Sequence, residues 1–178
     1  MQNKCYNDFI ENYNKDYNFI AFFDIDEFLY IKNGKDINSF LNDYDDVSSL
    51  FINWRLFGDN GLSSVTNGNY SVLNRFTKCA QDLHPLGKII LNTSKTGNSV
   101  IFHNPHILVY KDKPTTEFKS ISPSRKRIVQ CGTISNNKNS EPCELYHYRN
   151  KTWEELVKRR YNIQDPASGL SKSHTDMD

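Results

Sequence analysis

Asp24 and Asp26, separated by Ile25 and followed by Glu27, are the residues whose types and spacing point most directly to chemistry. In an extended chain side chains alternate, so the two aspartates are expected to point to one side. Like charges held together raise each other's pKa or demand a cation, and a hard divalent ion with oxygen ligands removes the conflict. Mg2+ or Mn2+ held by one or two carboxylates keeps positions open for phosphate oxygens, which makes a diphosphate-bearing substrate the natural partner. The D-x-D letters alone weigh little, because 14 aspartates in 178 residues produce such a string by chance and this chain has three. Asp43 with Asp45 ends a polar helical stretch and Asp176 with Asp178 lies in the C-terminal stretch. Only Asp24 with Asp26 follows an apolar run, Phe19 to Phe23. The bland alternative is a solvated strand end with Glu27 paired to a lysine.

That run, "FIAFF", has the length and aromatic content of a strand buried on both faces, as in a parallel sheet covered by helices. Ligands of open α/β sheets sit off the carboxyl ends of such strands. Before it, Cys5, Phe9, Ile10 and Tyr13 recur at helical spacing and predict an amphipathic helix of about three turns. Asp36 reads as the N-cap of a helix carrying Ile37, Phe40, Leu41 and Tyr44. A strand over 48–56 should follow, then the loop "FGDNGLSS" and a short helix over 71–78 with Val72, Leu73 and Phe76 as its apolar side. Strands are expected at 88–92, 99–103, 106–110, 126–131 and 143–148. Thr152 and Glu155 form a T-x-x-E capping box opening a final helix whose apolar face is Trp153, Leu156, Val157 and Tyr161. The whole predicts one α/β domain over 1–164 and a polar, disordered tail over 165–178.

Composition narrows the partners. The formal net charge is +1, with 22 basic and 21 acidic residues, so no general field marks nucleic acid or an anionic membrane. The longest apolar run falls far short of the 18 or more residues of a membrane span. Cys5, Cys79, Cys131 and Cys143 are widely spaced without a C-x-x-C, which predicts free thiols and a reducing, cytoplasmic setting. Sequons at Asn69, Asn92 and Asn150 are expected by chance in so Asn-rich a chain.

At the other end, Lys151 stands just outside the N-terminus of the Thr152 helix, where backbone N–H groups and the helix dipole already favour an anion. A cation there makes sense if a leaving diphosphate is present, with Arg149 assisting. The D-x-D strand and this helix start are expected to meet across that diphosphate.

Four segments in order, "FIAFFDIDEFLY", "INWRLFGDNG", "GKIILN…HNPH" and "LYHYRNKTWEELVKRR", resemble glycosyltransferase family 92 and the family 2-like proteins over residues 18–160. The resemblance implies a partial GT-A-like, Rossmann-like mixed sheet flanked by helices. It implies a metal-dependent, inverting transferase of hexosyltransferase type acting in polysaccharide biosynthesis. The donor would be a nucleoside-diphosphate sugar, a UDP-sugar first, and the acceptor a glycan hydroxyl. Asp24 and Asp26 would hold the Mn2+ or Mg2+, with His147 completing the sphere and Glu27 orienting the aspartates. Trp54, Arg55, Asn60 and Gly61 match the loop shaping the sugar and acceptor site, Lys88 and His106 the family's K…P-H segment, and Tyr148 the late H-Y position. Asp59 in "FGDNG" is the candidate base, with Asp82 second, although an Asp before Asn-Gly is commonly a turn former. The family pattern also places a nucleotide-binding half before the D-x-D, so either a piece of a longer enzyme or a reduced domain is expected, the former first.

Two alternatives belong to other classes. A haloacid-dehalogenase-like phosphatase would use Asp24 as nucleophile and Asp26 as acid/base, although Glu27 and Phe28 fit its motif badly. A non-catalytic carbohydrate- or metal-binding module is the third.

Overall fold

The computed structural model describes residues 2–65, 71–114, 118, 120–128 and 141–162. The expected tail, His174, the Asp176 and Asp178 pair, Cys131 and the Asn69 sequon lie outside the described residues. In chain order the elements are α1 (Gln2–Tyr13), β1 (Phe19–Ala21), β2 (Glu27–Ile31), α2 (Ile37–Asn42), β3 (Ser49–Leu56), α3 (Val72–Arg75), β4 (Gly87–Asn92), α4 (Thr93–Thr96), β5 (Val100–Asn104), β6 (Ile107–Tyr110), β7 (Ser120–Ile121), β8 (Arg127–Ile128), β9 (Cys143–His147) and α5 (Trp153–Asn162). They fall into two compact units: residues 1–56 with 81–147, and 57–80 with 148–178.

The first unit is a mixed α/β structure. Its seven-stranded sheet has β3 at the centre, antiparallel to β4 on one side; on the other, β3 runs parallel to β7 at Leu50 and to β9 from Trp54 to Leu56. β1 closes one edge against β4, β2 the opposite edge against β9, and β8 extends β7. β5 and β6 form a separate hairpin. Period-two alternation divides the core. Phe51, Ile89 and Leu91 pack with Ile10 of α1 and with Phe102 and Leu108 of the hairpin. Leu50, Ile52, Trp54 and Ile90 pack with Phe40, Tyr44 and Leu145. A helix therefore covers each face: α1 one, α2 the other.

Local signals explain the helices. Asp36 caps α2 by accepting from the N–H of Asn38 at 2.9 Å and of Ser39 at 3.0 Å, as its position predicts. α1 forms where expected, but its buried residue is Ile10, while Cys5 and Tyr13 are exposed. Polar contacts account for the difference. Asn7 donates to the Phe102 carbonyl at 3.0 Å and accepts the Phe102 N–H at 2.7 Å, turning the helix so that an amide faces the hairpin.

The strand expected over Phe19–Phe23 is corrected. β1 has three residues, lies at an antiparallel edge, and is not a central parallel strand. The chain leaves it because Phe22 and Phe23 serve different cores. Phe22 stacks on Tyr6 at 4.0 Å and meets Phe102 edge-on, whereas Phe23 packs with the Trp54 group. β2, which carries Glu27, takes up the chain after a turn.

Gly87 has a steric reason. It pairs with Asn53, and a Cβ there would lie 2.0 Å from the Ile52 carbonyl oxygen. Only a residue without a side chain brings β4 this close to β3.

In the second unit the helix expected over 71–78 is the single turn α3, with Phe76 buried and Leu73 exposed. The capping box opening α5 forms as expected: Glu155 Oε2 accepts from the Thr152 N–H at 3.1 Å and from its hydroxyl at 2.8 Å, and Thr152 Oγ1 accepts the Glu155 N–H at 3.3 Å. Of the apolar face expected for α5, Trp153 and Leu156 are exposed and Val157 is half-buried, while the Tyr161 side chain lies outside the described residues. Polar contacts dock this helix instead: Glu155 takes a bidentate pair from Arg75, both contacts 2.8 Å, and the Glu154 N–H donates to the Ser63 carbonyl. Among the described residues no helix is long and apolar enough to cross a membrane.

Candidate functional site

Asp24, Ile25, Asp26 and Glu27 form a turn in which the Asp24 carbonyl accepts the Glu27 N–H at 2.9 Å. The extended geometry that would aim both aspartates at one point is therefore absent, and Ile25 at the turn's tip is 99% exposed. Asp24 turns towards β4 and α1, where its carboxylate accepts from Lys88 Nζ at 3.1 Å and from Gln2 at 3.3 Å. Asp26 turns towards β9, with Oδ1 3.7 Å from His147 Nε2. β2 and β9 pair Glu27 with His147, which holds the imidazole beside the turn.

Glu27 lies beneath the turn with a fully buried side chain. Its Oε2 accepts the Asp24 N–H at 3.0 Å and stands 3.8 Å from Lys88 Nζ. Its Oε1 has no hydrogen-bond partner among the described residues. Burial pushes this carboxyl up to about 7, against the Asp24 N–H and Lys88, which pull it down. Buried Lys88 and Glu27 and the partly exposed Asp24 carboxylate thus form a small network that fixes the turn from beneath. Lys88 is 1% exposed, since it stands in register with Ile52 between β3 and β1.

Trp54 stands beside this network, 5% exposed, with three imidazoles around its ring: His147 at 4.4 Å, His106 edge-on at 5.1 Å and His84 at 5.5 Å. Its faces are taken up by histidines rather than open to a sugar. His106 Nδ1 bonds the Gly87 carbonyl at 2.8 Å; burial, then Lys88, hold this imidazole below its ordinary value. No motif in the sequence marks His84. The signal that could have found it is its place just before β4, where its N–H donates to the Trp54 carbonyl at 2.8 Å. Gln2 was likewise missed, and no local pattern marks it.

The other expected site residues have different surroundings. Arg55 is tied to Glu144 through Nη2 at 2.6 Å and to the Gln81 carbonyl. Burial raises the Glu144 carboxyl, but hydrogen bonds from Arg55 and Lys32 outweigh it and hold the group low. In the second unit, Asp59 is exposed and accepts the Gly61 N–H at 2.9 Å, an Asx turn. Asn60, at φ 58°, donates to the Arg75 carbonyl and accepts the Lys78 N–H, while Gly61 sits at φ 76°. Tyr148 is buried and stacked on Phe57 at 4.5 Å. Lys151 donates to the Tyr148 carbonyl, and Arg149 is exposed.

Asp24, Asp26 and His147 have the donor types a hard divalent ion takes. In this structure the three are divided between two partners. Asp24 faces Lys88, Asp26 faces His147, and among the described residues no three His, Cys, Asp or Glu side chains come together as a metal site would require. The arrangement is a turn bearing two acidic groups, one held by a buried ammonium and the other beside an imidazole, over a carboxyl kept largely out of water.

The family model of glycosyltransferase family 92 matches residues 2–177. No curated protein matches the chain with significance.

Proposed function

The chain belongs to glycosyltransferase family 92, and from that premise we propose that it moves a sugar from a nucleoside-diphosphate sugar, a UDP-sugar first, to the hydroxyl of a glycan acceptor with inversion. The acceptor oxygen bonds to the anomeric carbon, the bond to the β-phosphate oxygen breaks, the nucleoside diphosphate leaves with the electron pair, and the acceptor proton passes to a carboxylate. The observation that supports this reading is the network of Asp24, Glu27 and Lys88 beneath the D-x-D turn, in a chain matched along nearly its whole length by that family.

Within it, the residues have distinct tasks. Lys88 and Glu27 hold the turn so that Asp24 and Asp26 keep fixed directions, a preorganisation that favours charge changes in the transition state over rearrangement. Mn2+ or Mg2+ remains part of the proposal in one form: Asp26 and His147 are the neighbouring pair that would take it up, and Asp24 would join only by leaving Lys88.

Calorimetry with UDP and other nucleoside diphosphates, with and without Mn2+, tests this reading. Binding of UDP that is lost when Asp24→Asn and Asp26→Asn are combined is expected. Asp59→Asn tests the candidate base directly through turnover. Hydrolysis of p-nitrophenyl phosphate without nucleotide binding, or the absence of any nucleoside diphosphate binding, overturns the proposal.

A further inference from the structure

A polar hollow of the first unit shares no residue with the Asp24 network. It has a volume of about 330 Å3 and lies where the chain leaves α1 and passes the β4–α4 junction. Its lining is amide and hydroxyl: Asn14, Asn18 and Asn98 with Tyr17, Thr93 and Ser94. Lys15 is the one charged side chain among its described lining residues.

The hollow is built rather than incidental. The Thr93 N–H donates to the Asn18 carbonyl at 2.9 Å and its hydroxyl to the Tyr17 carbonyl, pinning the segment after α1. Asn14, only 6% exposed, donates through Nδ2 to Asn98 Oδ1 and closes the far side. With that contact made, the Asn98 amide N–H groups, Asn14 Oδ1 and both ends of Asn18 supply donors and acceptors that match a sugar hydroxyl, itself both. A phosphate would call for several cations or a bidentate guanidinium, and a single lysine does not supply them.

An aromatic strip borders these residues. Phe9 lies 6.1 Å from Tyr17, stacked, and 5.1 Å from Tyr13, and the two tyrosines are 54% and 48% exposed. An aromatic face is electron-rich and attracts the weakly positive C–H face of a pyranose ring. The volume lies at the small end of ligand pockets, suited to one or two sugar rings.

We propose that this hollow binds a neutral oligosaccharide, with a sugar ring hydrogen-bonded among Asn14, Asn18 and Asn98 and a neighbouring ring laid on Tyr17. The site stands independently of the donor chemistry assigned to the D-x-D turn. A glycan held here raises the effective concentration of acceptor chain ends around the same molecule.

The test is an amide chemical-shift titration of the full chain, without nucleotide, using neutral tetrasaccharides of gluco-, galacto- and manno-configuration. At least one is expected to shift amides within 14–18 and 93–98. Tyr17→Ala and Asn98→Ala, both at exposed positions and checked for unchanged thermal unfolding, should each weaken binding tenfold or more, and Asp24→Asn should leave it intact. No shift in these segments with any of the three sugars overturns the proposal, as does binding that survives both substitutions or is lost in Asp24→Asn. Loss of nucleotide binding in Asp24→Asn is read separately and bears only on the transferase site.

Discussion

Replacing Glu155 with Gln should destabilise the second unit by about 2 kcal/mol at pH 7, and the loss should vanish in acid. Glu155 accepts both Arg75 contacts at 2.8 Å and two bonds from Thr152, and the Arg75 side chain is 5% exposed. Hydrogen bonds from Arg75 first, then Thr152, hold the Glu155 carboxyl down at about 2, against burial, which raises it. A depression of that size corresponds to roughly 3 kcal/mol; with Glu155 27% exposed, solvent screening reduces it to about 2. Because the folded value is depressed, this stabilisation is fully present above the ordinary carboxylate value near 4.5 and is lost as pH falls through about 2. Hydrogen exchange at the Leu156 amide, which donates to the Thr152 carbonyl at 2.9 Å, reports on this helix start. The gap in protection between wild type and Glu155→Gln should be constant from pH 7 to 5 and shrink steadily below that. Equal protection at pH 7, or a gap unchanged between pH 5 and 2, would refute the assignment of this stabilisation to the Arg75 pair.

Two further outcomes follow from packing. Gly87→Ala, which puts a Cβ against the Ile52 carbonyl, should cost at least about 3 kcal/mol and lower the thermal midpoint sharply, whereas Gly58→Ala, whose nearest contact is 3.9 Å, should not. Burial pushes the Cys143 thiol up to about 12, so in a Cys131→Ser background a disulfide reagent at pH 8 should titrate Cys5 and Cys79 at once and Cys143 only on unfolding.

Much of the fold is legible because its signals are local. Asp36 before an apolar face, the T-x-x-E of Thr152 and Glu155, and the apolar runs of β3, β4 and β9 each act within a few residues. β2 escapes because its pattern is inverted: Glu27 is buried while Phe28 and Tyr30 are exposed. No alternation rule places a carboxylate inside and aromatics outside. β7 is two residues long and exists through its pairing with Leu50 of β3 and with β8, which no neighbouring residue announces. For the candidate site, the D-x-D string and His147 identify the place but not the directions. Those depend on the turn at 24–27, which forms because β2 must pair with β9. Lys88 beside Asp24 is likewise a product of register, as is the ring of His84, His106 and His147 about Trp54.

The same turn has a consequence for slack in the chain. β1 and β2 lie at opposite ends of the path β1–β4–β3–β9–β2, four strand spacings that would span about 19 Å in a flat sheet. Five residues connect them, and a turn brings its first and last Cα atoms within about 7 Å. Three extended steps and one turn reach about 17 Å, so the link is nearly taut and has no slack to lift away from the sheet. Glu27 follows it directly and is held 3.8 Å from Lys88 of β4, so its burial reflects chain length as much as side-chain preference. Lengthening the 22–26 connection would slacken the link and let water reach the carboxyl.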